Sequence, residues 1–318
     1  MKKIFSIIVS SFVVLFGFSV PSFRMMPISY KDGNFMGIKI LDSMVVENSM
    51  IDSIRLFGLS GLAYDNEDDI LYSISDRGSL FKFKLILKDN KIISLKPLSA
   101  KKLMAKHNRT FLKPYRDSEG LAIVGKGENK HLLISYEWKH RVSQFTLNGI
   151  EISSILLPKP LKVYRYYKNN NSSLESVTYH PKYGFITSPE EPLRVQKNGY
   201  HGIYNRDGEI CKIRKLNKKN SITSIEVMKD NNLLVLLRSF NMMKFEFDIT
   251  LKKVYLDNIS DGVCKSKDLA VMKSKDGWNL DNFEGLTKYK DNQYLMISDD
   301  NGNFLQSTIL TLFEIKES

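Results

Sequence analysis

A repeated unit constrains this chain more than any other feature of its sequence. A short apolar segment that opens beside a glycine or a serine recurs roughly every 50 to 60 residues, and a second apolar segment follows each copy about a dozen residues later. The openings are SGLAYD from Ser60, EGLAIV from Glu119, ESVTYH from Glu175, TSIEVM from Thr223 and EGLTKY from Glu284. This period predicts a repeat architecture in which each copy is one supersecondary unit.

Each unit predicts four antiparallel strands. In four of the units a hairpin of alternating residues follows the second apolar segment, most clearly in RVSQFTLNGIEISSILL, where Asn148 and Gly149 form a typical two-residue turn. Four-stranded units whose first strand carries an early glycine are typical of propeller blades around a central channel. We therefore predict an all-β fold, a single β-propeller with five blades visible in the sequence and a sixth left open.

The last unit is one strand short, because only Ser307 to Ile315 follows its SDDN segment. The alternating segment from Phe35 to Val46 has no hairpin partner nearby, and it can supply the missing outer strand. Pairing of the two ends would close the ring and remove an open sheet edge. Little helix is expected beyond one turn near Thr110 to Arg116 and another near Lys265 to Met272.

The N-terminus has the layout of a secretory signal. Lys2 and Lys3 precede an apolar run from Ile4 to Val20, which predicts a signal peptide over residues 1–22 and a propeller domain over 24–318. We expect an exported protein, periplasmic or extracellular, with no integral membrane span after signal removal; an uncleaved N-terminal anchor is the alternative. Two cysteines, Cys211 and Cys264, allow one disulfide or two separate thiols.

The formal charge of +12 comes from lysines scattered through the turns, without a nucleic-acid motif. A basic surface raises the local concentration of anionic ligands. We therefore expect a monomer that binds an anionic small molecule or ester substrate and no nucleic acid.

Acidic residues recur in register, and in a propeller such positions form a ring. The position before the glycine and the end of the second strand fall at the same end of each blade, because the two strands are antiparallel. The first position holds Ser60, Glu119, Glu175, Thr223 and Glu284; the second holds Asp76, Glu137, Glu190, Arg238 and Asp299, with Arg77, Glu191 and Asp300 beside them. At least six carboxylates are thus expected around one channel mouth.

Clustered carboxylates repel one another unless cations or protons neutralise them, and their hard oxygen atoms suit Ca²⁺ or Mg²⁺. The alternative is structural, since carboxylates at strand starts often accept backbone N–H groups in turns. The candidate metal ligands are Asp76, Glu119, Glu137, Glu175, Glu284, Asp299 and Asp300. The candidate catalytic residues are Glu119, Glu284, Asp299, Arg77 and Arg238.

These segments resemble the phytase-like family, which is described by an esterase-like activity and is distantly similar to calcium-dependent β-propeller phytases. The resemblance rests on LSGLAYD with SISDRG, DSEGLAI with SYEWKHRVSQF, SPEEPL, LLVLLRSF, and DNFEGL with SDDN. It implies an exported propeller with a metal-lined axial face, Ca²⁺ before Mg²⁺. This chain departs from the family pattern at Leu237, where the family usually carries a glutamate, and at the LESVTY opening.

The leading functional hypothesis is a metal-dependent hydrolase of phosphoesters or related esters. Two alternatives stay open: a non-catalytic propeller that binds a ligand or protein and keeps a structural metal, and a Ca²⁺-dependent lactonase-like hydrolase. Specificity is expected to lie in the loops at 162–173 and 191–201.

Overall fold

Five antiparallel blades of four strands each form the framework of the fold. The computed structural model describes residues 23–30, 32–196 and 199–316. The blades, each given from its inner to its outer strand, comprise Leu59–Asp65, Ile70–Ser75, Ser79–Lys88 and Lys91–Lys102 (blade 1); Ser118–Val124, His131–Tyr136, Arg141–Phe145 and Glu151–Ile155 (blade 2); Leu174–His180, Gly184–Pro189, Tyr200–Tyr204 and Glu209–Arg214 (blade 3); Ser221–Val227, Leu233–Asn241, Glu246–Ser260 and Val263–Lys273 (blade 4); and Asn282–Lys288, Gln293–Asp299, Ile309–Ile315 and Ile38–Val45 (blade 5).

The ring closes as predicted, because the N-terminal strand Ile38–Val45 pairs antiparallel with the C-terminal strand Ile309–Ile315. The inner strands of consecutive blades contact one another, and that of blade 5 contacts that of blade 1. Within the described residues the propeller therefore has five blades. A single parallel pair, Lys212 with Val263, bridges the outer strands of blades 3 and 4, so these two blades share one continuous sheet.

The core is divided among the blade interfaces. Five buried apolar clusters each combine side chains from two neighbouring blades, such as Leu59 and Phe81 of blade 1 with Leu295 and Leu312 of blade 5. Burial of this apolar area is the main force that holds the blades together. A disulfide between Cys211 and Cys264 joins the outer strands of blades 3 and 4, which decides between the two cysteine alternatives.

The glycine of the repeated opening allows the inner strands to approach closely. A Cβ atom on Gly120 would lie 2.6 Å from the backbone nitrogen of Val177 in the next blade, and one on Gly61 would lie 2.6 Å from the carbonyl oxygen of Glu119. Neither space admits a side chain without movement of backbone. The glycines of blades 1 and 2 are therefore packing residues of the channel wall.

The predicted helical turn near Lys265 to Met272 is wrong. These residues lie in the outer strand Val263–Lys273, which pairs along its length with Glu246–Ser260. Ladder pairing and the burial of alternate side chains outweigh the local helix preference of Leu269, Ala270 and Met272.

The rest of the regular structure is short. The turn predicted near Thr110 to Arg116 is present as the 3-10 turn Lys113–Tyr115. The other helical segments are Lys106–Asn108, Gly127–Asn129, Lys159–Lys162, Tyr164–Tyr166 and Ser274–Asp276, and the remaining strands are Asn34–Phe35, Met50–Ile51, Ile54–Arg55, Met104–Ala105 and Arg109–Thr110. No helix among the described residues is both long and apolar enough to cross a membrane. The predicted signal peptide, residues 1–22, lies outside the described residues.

Candidate axial carboxylate site

Each blade carries an irregularity at the same place on its inner strand. The pairing register with the second strand shifts at Ser60, at Glu119 and Gly120, at Glu175, at Thr223 and at Glu284. A β-bulge leaves its extra residue outside the ladder and re-aims its side chain. The repeated opening of the sequence therefore encodes a bulge that presents one side chain per blade at one end of the channel.

The bulged side chains divide into two chemical groups. Glu119, Glu175 and Glu284 line a cavity of about 1180 Å³ at this end of the channel. Ser60 and Thr223 instead donate hydrogen bonds to the neighbouring inner strands, at 2.7 Å and 3.1 Å. The hydroxyl groups of Ser60 and Thr223 thus link neighbouring blades by hydrogen bonds, while the three carboxylates face the cavity.

The ends of the second strands line the same cavity. Their five residues are Asp76, Glu137, Glu190, Arg238 and Asp299. In blade 2 the backbone N–H of Glu137 donates to the carbonyl of Asp117 at 3.0 Å, and the same bond recurs in blades 1 and 3. This bond joins the end of the second strand to the residue two positions before the bulge, so both acidic positions meet at one mouth.

In one half of the mouth, an arginine compensates the charge of the carboxylates. Arg238 donates from Nη1 to Glu284 Oε1 at 2.6 Å and from Nη2 to Glu190 Oε1 at 2.9 Å, and it also donates to the side chain of Asn282. Burial alone would lower the pKa of Arg238, but the two carboxylates raise it overall. Burial raises the pKa of Glu284 to about 7, and Arg238 acts in the opposite direction. We call Arg238, Glu190 and Glu284 the arginine clasp.

The other half of the mouth has no such partner. Carboxylate oxygens of Asp117, Glu119 and Glu137 lie within 4.8 Å of one another, and so do those of Glu137, Glu175 and Glu190. Glu137 belongs to both groups, and its buried Oε1 has no hydrogen-bond partner among the described residues. No ion pair among the described residues involves Asp117, Glu119, Glu137 or Glu175. We call these four residues the open acidic cluster.

The pKa values of the open acidic cluster reflect burial followed by mutual repulsion. Burial, and then the carboxylates around it, raise the pKa of Glu137 to about 9. The same causes raise the pKa of Glu119 and Glu175 well above the ordinary range, and burial raises the pKa of Asp117 to about 6. Without an added cation, this cluster must hold protons at neutral pH.

Positive charge lies at the rim of the cavity. Arg77 is 46% exposed in its side chain, and its Nε lies 3.2 Å from Asp76 Oδ2. Arg116 and Lys113 also line the cavity. Burial raises the pKa of Asp76, against the effect of Arg77 and Arg116. Asp76 Oδ1 is buried, and no residue that the structure describes forms a hydrogen bond with it.

The aspartates of blade 5 have different surroundings. Asp299 lines the cavity, and burial followed by the charge of Glu284 raises its pKa well above the ordinary range. Asp300 is not a lining residue; its Oδ1 accepts the N–H groups of Gly58 and Gly302, both at 3.0 Å. Asp300 therefore links blade 5 to the entry of blade 1. Glu191 likewise lies off the cavity and pairs with Lys215 at 3.0 Å.

The sequence reasoning missed Asp117, Asn282, Arg116 and Lys113, which all line the cavity. A signal for the first two was present: Asp117 and Asn282 each stand two residues before the glutamate that opens the repeat, where the inner strand meets the end of the second strand. No repeated signal marks Arg116 and Lys113, because they belong to a connection between blades.

The strands and their shared mouth define a five-bladed β-propeller with a buried acidic site on its axis. The sequence matches the phytase-like family, described as "esterase-like activity of phytase", over residues 54–302, and the chain belongs to this family. The match confirms the resemblance that the repeated segments indicated.

Solved structures with a similar fold are remote in sequence. They include the PQQ-bound aldose sugar dehydrogenase of Streptomyces coelicolor, at TM-score 0.44 and 8% identity over 86% of this chain and 98% of that one. A second is the β-propeller domain of Cps50 (Swd1) from Myceliophteria thermophila, at TM-score 0.39 and 9% identity over 88% and 92%. A third is the Dos1 propeller, at TM-score 0.36 and 9% identity over 82% and 68%. These likenesses carry no argument about activity. No curated protein matches the sequence.

Proposed function

We propose that this protein is an exported hydrolase of phosphoesters or related esters that uses a divalent cation, Ca²⁺ before Mg²⁺, in the open acidic cluster. The observation that carries the proposal is Glu137 Oε1, a buried carboxylate oxygen with no hydrogen-bond partner in the described part of the chain, among oxygens of Asp117, Glu119, Glu175 and Glu190. A buried acidic group without a partner is costly, and a cation would remove that cost.

The donor set fits a hard cation. The cluster offers carboxylate oxygens from blades 2 and 3, with no histidine or cysteine among the groups that lie together. Calcium takes six to eight oxygen ligands, and magnesium keeps several waters, so either ion would leave positions for substrate. A bound cation would polarise a phosphoryl or acyl oxygen. The proposed metal centre therefore lies at Glu137, and Glu284 and Asp299, which the sequence analysis named as candidate ligands, are not part of it.

The residues around the cluster have separate proposed roles. Arg77 and Arg116 at the rim would bind the anionic group of the substrate, because their guanidinium groups match phosphate and carboxylate geometry. Arg238 already donates to three side chains, so its proposed role is to fix Glu284 at the cavity wall. Glu284, with a pKa of about 7, can take up or release a proton near neutral pH.

The test is hydrolysis of 4-nitrophenyl phosphate and 4-nitrophenyl acetate by purified protein, first stripped of metal and then supplied with Ca²⁺ or Mg²⁺. We expect turnover only with added cation, and loss of at least about a hundredfold in Glu137→Gln. The matched control is Glu226→Gln, a glutamate whose carboxylate accepts backbone N–H groups at the opposite end of the channel. Cation-independent turnover, or equal losses in both variants, would contradict the proposal.

The same preparation separates the alternatives. If Ca²⁺ raises the melting temperature while every ester stays intact, the protein is a binding propeller with a structural metal. If lactones are hydrolysed and phosphoesters are not, it is a lactonase-like hydrolase.

Export is part of the proposal. The disulfide Cys211–Cys264 supports it, since such bonds persist in oxidising compartments. Cell fractionation with and without residues 1–22 tests it: the full chain should reach the periplasm or medium, and the truncated chain should stay in the cytoplasm.

A further inference from the structure

Blade 4 differs from the other blades at the cavity mouth. Its second strand, Leu233–Asn241, continues past the mouth residue Arg238, and Phe240 pairs with Phe247 on the returning strand. In blades 1, 2, 3 and 5 the second strand ends at or beside the mouth residue. The blade 4 hairpin therefore projects beyond the ring.

The projecting hairpin is apolar where it borders the cavity. Phe240 stacks on Phe247 with centroids 4.6 Å apart, and Phe245 lies edge-on to Phe240 at 6.1 Å. Phe245 is nevertheless 69% exposed and Met242 is 73% exposed. Both line the cavity.

A second apolar segment continues this wall from blade 5. Leu305, in the connection after Asp299, is 65% exposed and lines the same cavity, as does Leu280. Large exposed apolar side chains gathered at one cavity mark a binding surface more often than a solvated one. We call Phe240, Phe245, Phe247, Leu280 and Leu305 the apolar wall.

The apolar wall and the open acidic cluster belong to different blades. The open acidic cluster comes from blades 2 and 3 together with Asp117 just before blade 2, and Arg77 and Arg116 come from blade 1 and the connection after it. The wall comes from blades 4 and 5. A ligand that fills this cavity thus meets the open acidic cluster and the rim arginines on the side of blades 1 to 3, and the apolar wall on the side of blades 4 and 5, which also carries Arg238 and Glu284.

We propose that the substrate is amphipathic: an anionic phosphoester or carboxylic ester head group bound by the rim arginines and the open acidic cluster, with an alkyl or aryl portion packed on the apolar wall. This inference rests on the proposed function and deepens it by naming the substrate class. A small, uniformly polar phosphate ester would leave the wall exposed.

The test is calorimetric binding of ethyl, butyl and octyl phosphate, below their micelle concentrations, to the full-length protein with Ca²⁺. Each fully buried methylene strengthens binding roughly fourfold, so partial burial should make octyl phosphate at least about 30-fold tighter than ethyl phosphate. In Phe245→Ser with Leu305→Ser this ratio should fall below about fivefold. Both side chains are exposed, so the fold should persist, and the melting temperature checks it.

The matched control is Ile93→Ser, an exposed apolar residue on the outer strand of blade 1, which should keep the wild-type ratio. If ethyl and octyl phosphate bind equally, the inference is overturned while the proposed function stands. If neither ethyl nor inorganic phosphate binds with Ca²⁺, the anion site of the proposed function fails, and this inference fails with it. If alkyl trimethylammonium ions show the chain-length dependence instead, the anionic head group is overturned.

Discussion

The two halves of the channel mouth contain the same kind of residue and differ in how its charge is compensated. In the arginine clasp, Glu190 and Glu284 share one guanidinium group. In the open acidic cluster, Glu137 and Glu175 are also buried, but neither forms an ion pair with another described residue. Both halves are built by the same elements, a bulged inner strand and the end of a second strand.

This difference in charge compensation distinguishes a structural ion-pair network from a candidate metal site. Pairing with arginine favours the charged form of a buried carboxylate, whereas a buried carboxylate without a cation takes up a proton or binds a cation. Blade 4 carries Arg238 at the end of its second strand, where the other blades carry acids, and this arginine pairs with Glu190 and Glu284. The repeat therefore supplies a ring of equivalent positions, and the residues at these positions distinguish a clasp from a candidate metal site.

Breaking the clasp should have the largest effect. Arg238→Met leaves Glu190 and Glu284 buried without their partner, and the free energy of unfolding should fall by about 3–5 kcal/mol. Denaturant unfolding measures it. Arg77→Met is the control, because Arg77 is half-exposed and its pair with Asp76 should contribute less than about 1 kcal/mol. Equal losses in the two variants would show that the clasp is not a structural unit.

The open acidic cluster should make the metal-free protein less stable at high pH. The pKa of Glu137 is about 9 in the folded protein and near 4.5 when unfolded, so the folded state binds more protons between these values. The stabilising contribution of the Glu137 carboxyl group is complete below its pKa in the unfolded state, and it is lost as the pH rises through its pKa in the folded state. We expect a fall of a few kcal/mol in metal-free unfolding free energy between about pH 6.5 and 9, on the scale of about 1.4 kcal/mol per pKa unit.

The control repeats the same unfolding measurements with Ca²⁺ present. The cation should replace the protons of the cluster, so the unfolding free energy should depend less on pH. Glu137→Gln should also reduce the slope. An unfolding free energy that rises with pH over this window without metal would contradict the account of the cluster.

A smaller effect is expected from the rim. Arg77→Met and Arg116→Met should each weaken binding of inorganic phosphate about tenfold with Ca²⁺ present, which is about 1.4 kcal/mol, since each loses one charge-assisted contact. Calorimetric titration measures the affinity. Arg24→Met, an arginine near the N-terminus that does not line the cavity, should leave phosphate affinity unchanged. Unchanged affinity in both rim variants would exclude a rim anion site.

The repeat made the fold predictable from the sequence. The openings fixed five inner strands, and the isolated segment from Phe35 to Val46 correctly indicated closure with the C-terminal strand. The failure at Lys265 to Met272 was local: nothing in that segment indicates the long strand Glu246–Ser260 against which it pairs.

The site was less predictable. The register of the repeat indicates which residues lie at one mouth, but it does not determine which of them form ion pairs or hydrogen bonds. The sequence placed Glu137, Arg238 and Glu284 at one mouth, and they line one cavity. That Arg238 reaches both neighbouring blades depends on side-chain direction in three dimensions. The apolar wall was also missed, since specificity was expected in the loops at 162–173 and 191–201. Among the described residues of these loops, Asn171 alone lines the cavity.

The central claim is that the open acidic cluster, and not the arginine clasp, holds the cation. Calcium titration by calorimetry near neutral pH compares wild type, Glu137→Gln and Glu284→Gln. We predict that Glu137→Gln weakens Ca²⁺ binding by at least about tenfold, whereas Glu284→Gln changes it by less than about threefold. A larger loss in Glu284→Gln, or no Ca²⁺ binding by the wild-type protein, would contradict the claim.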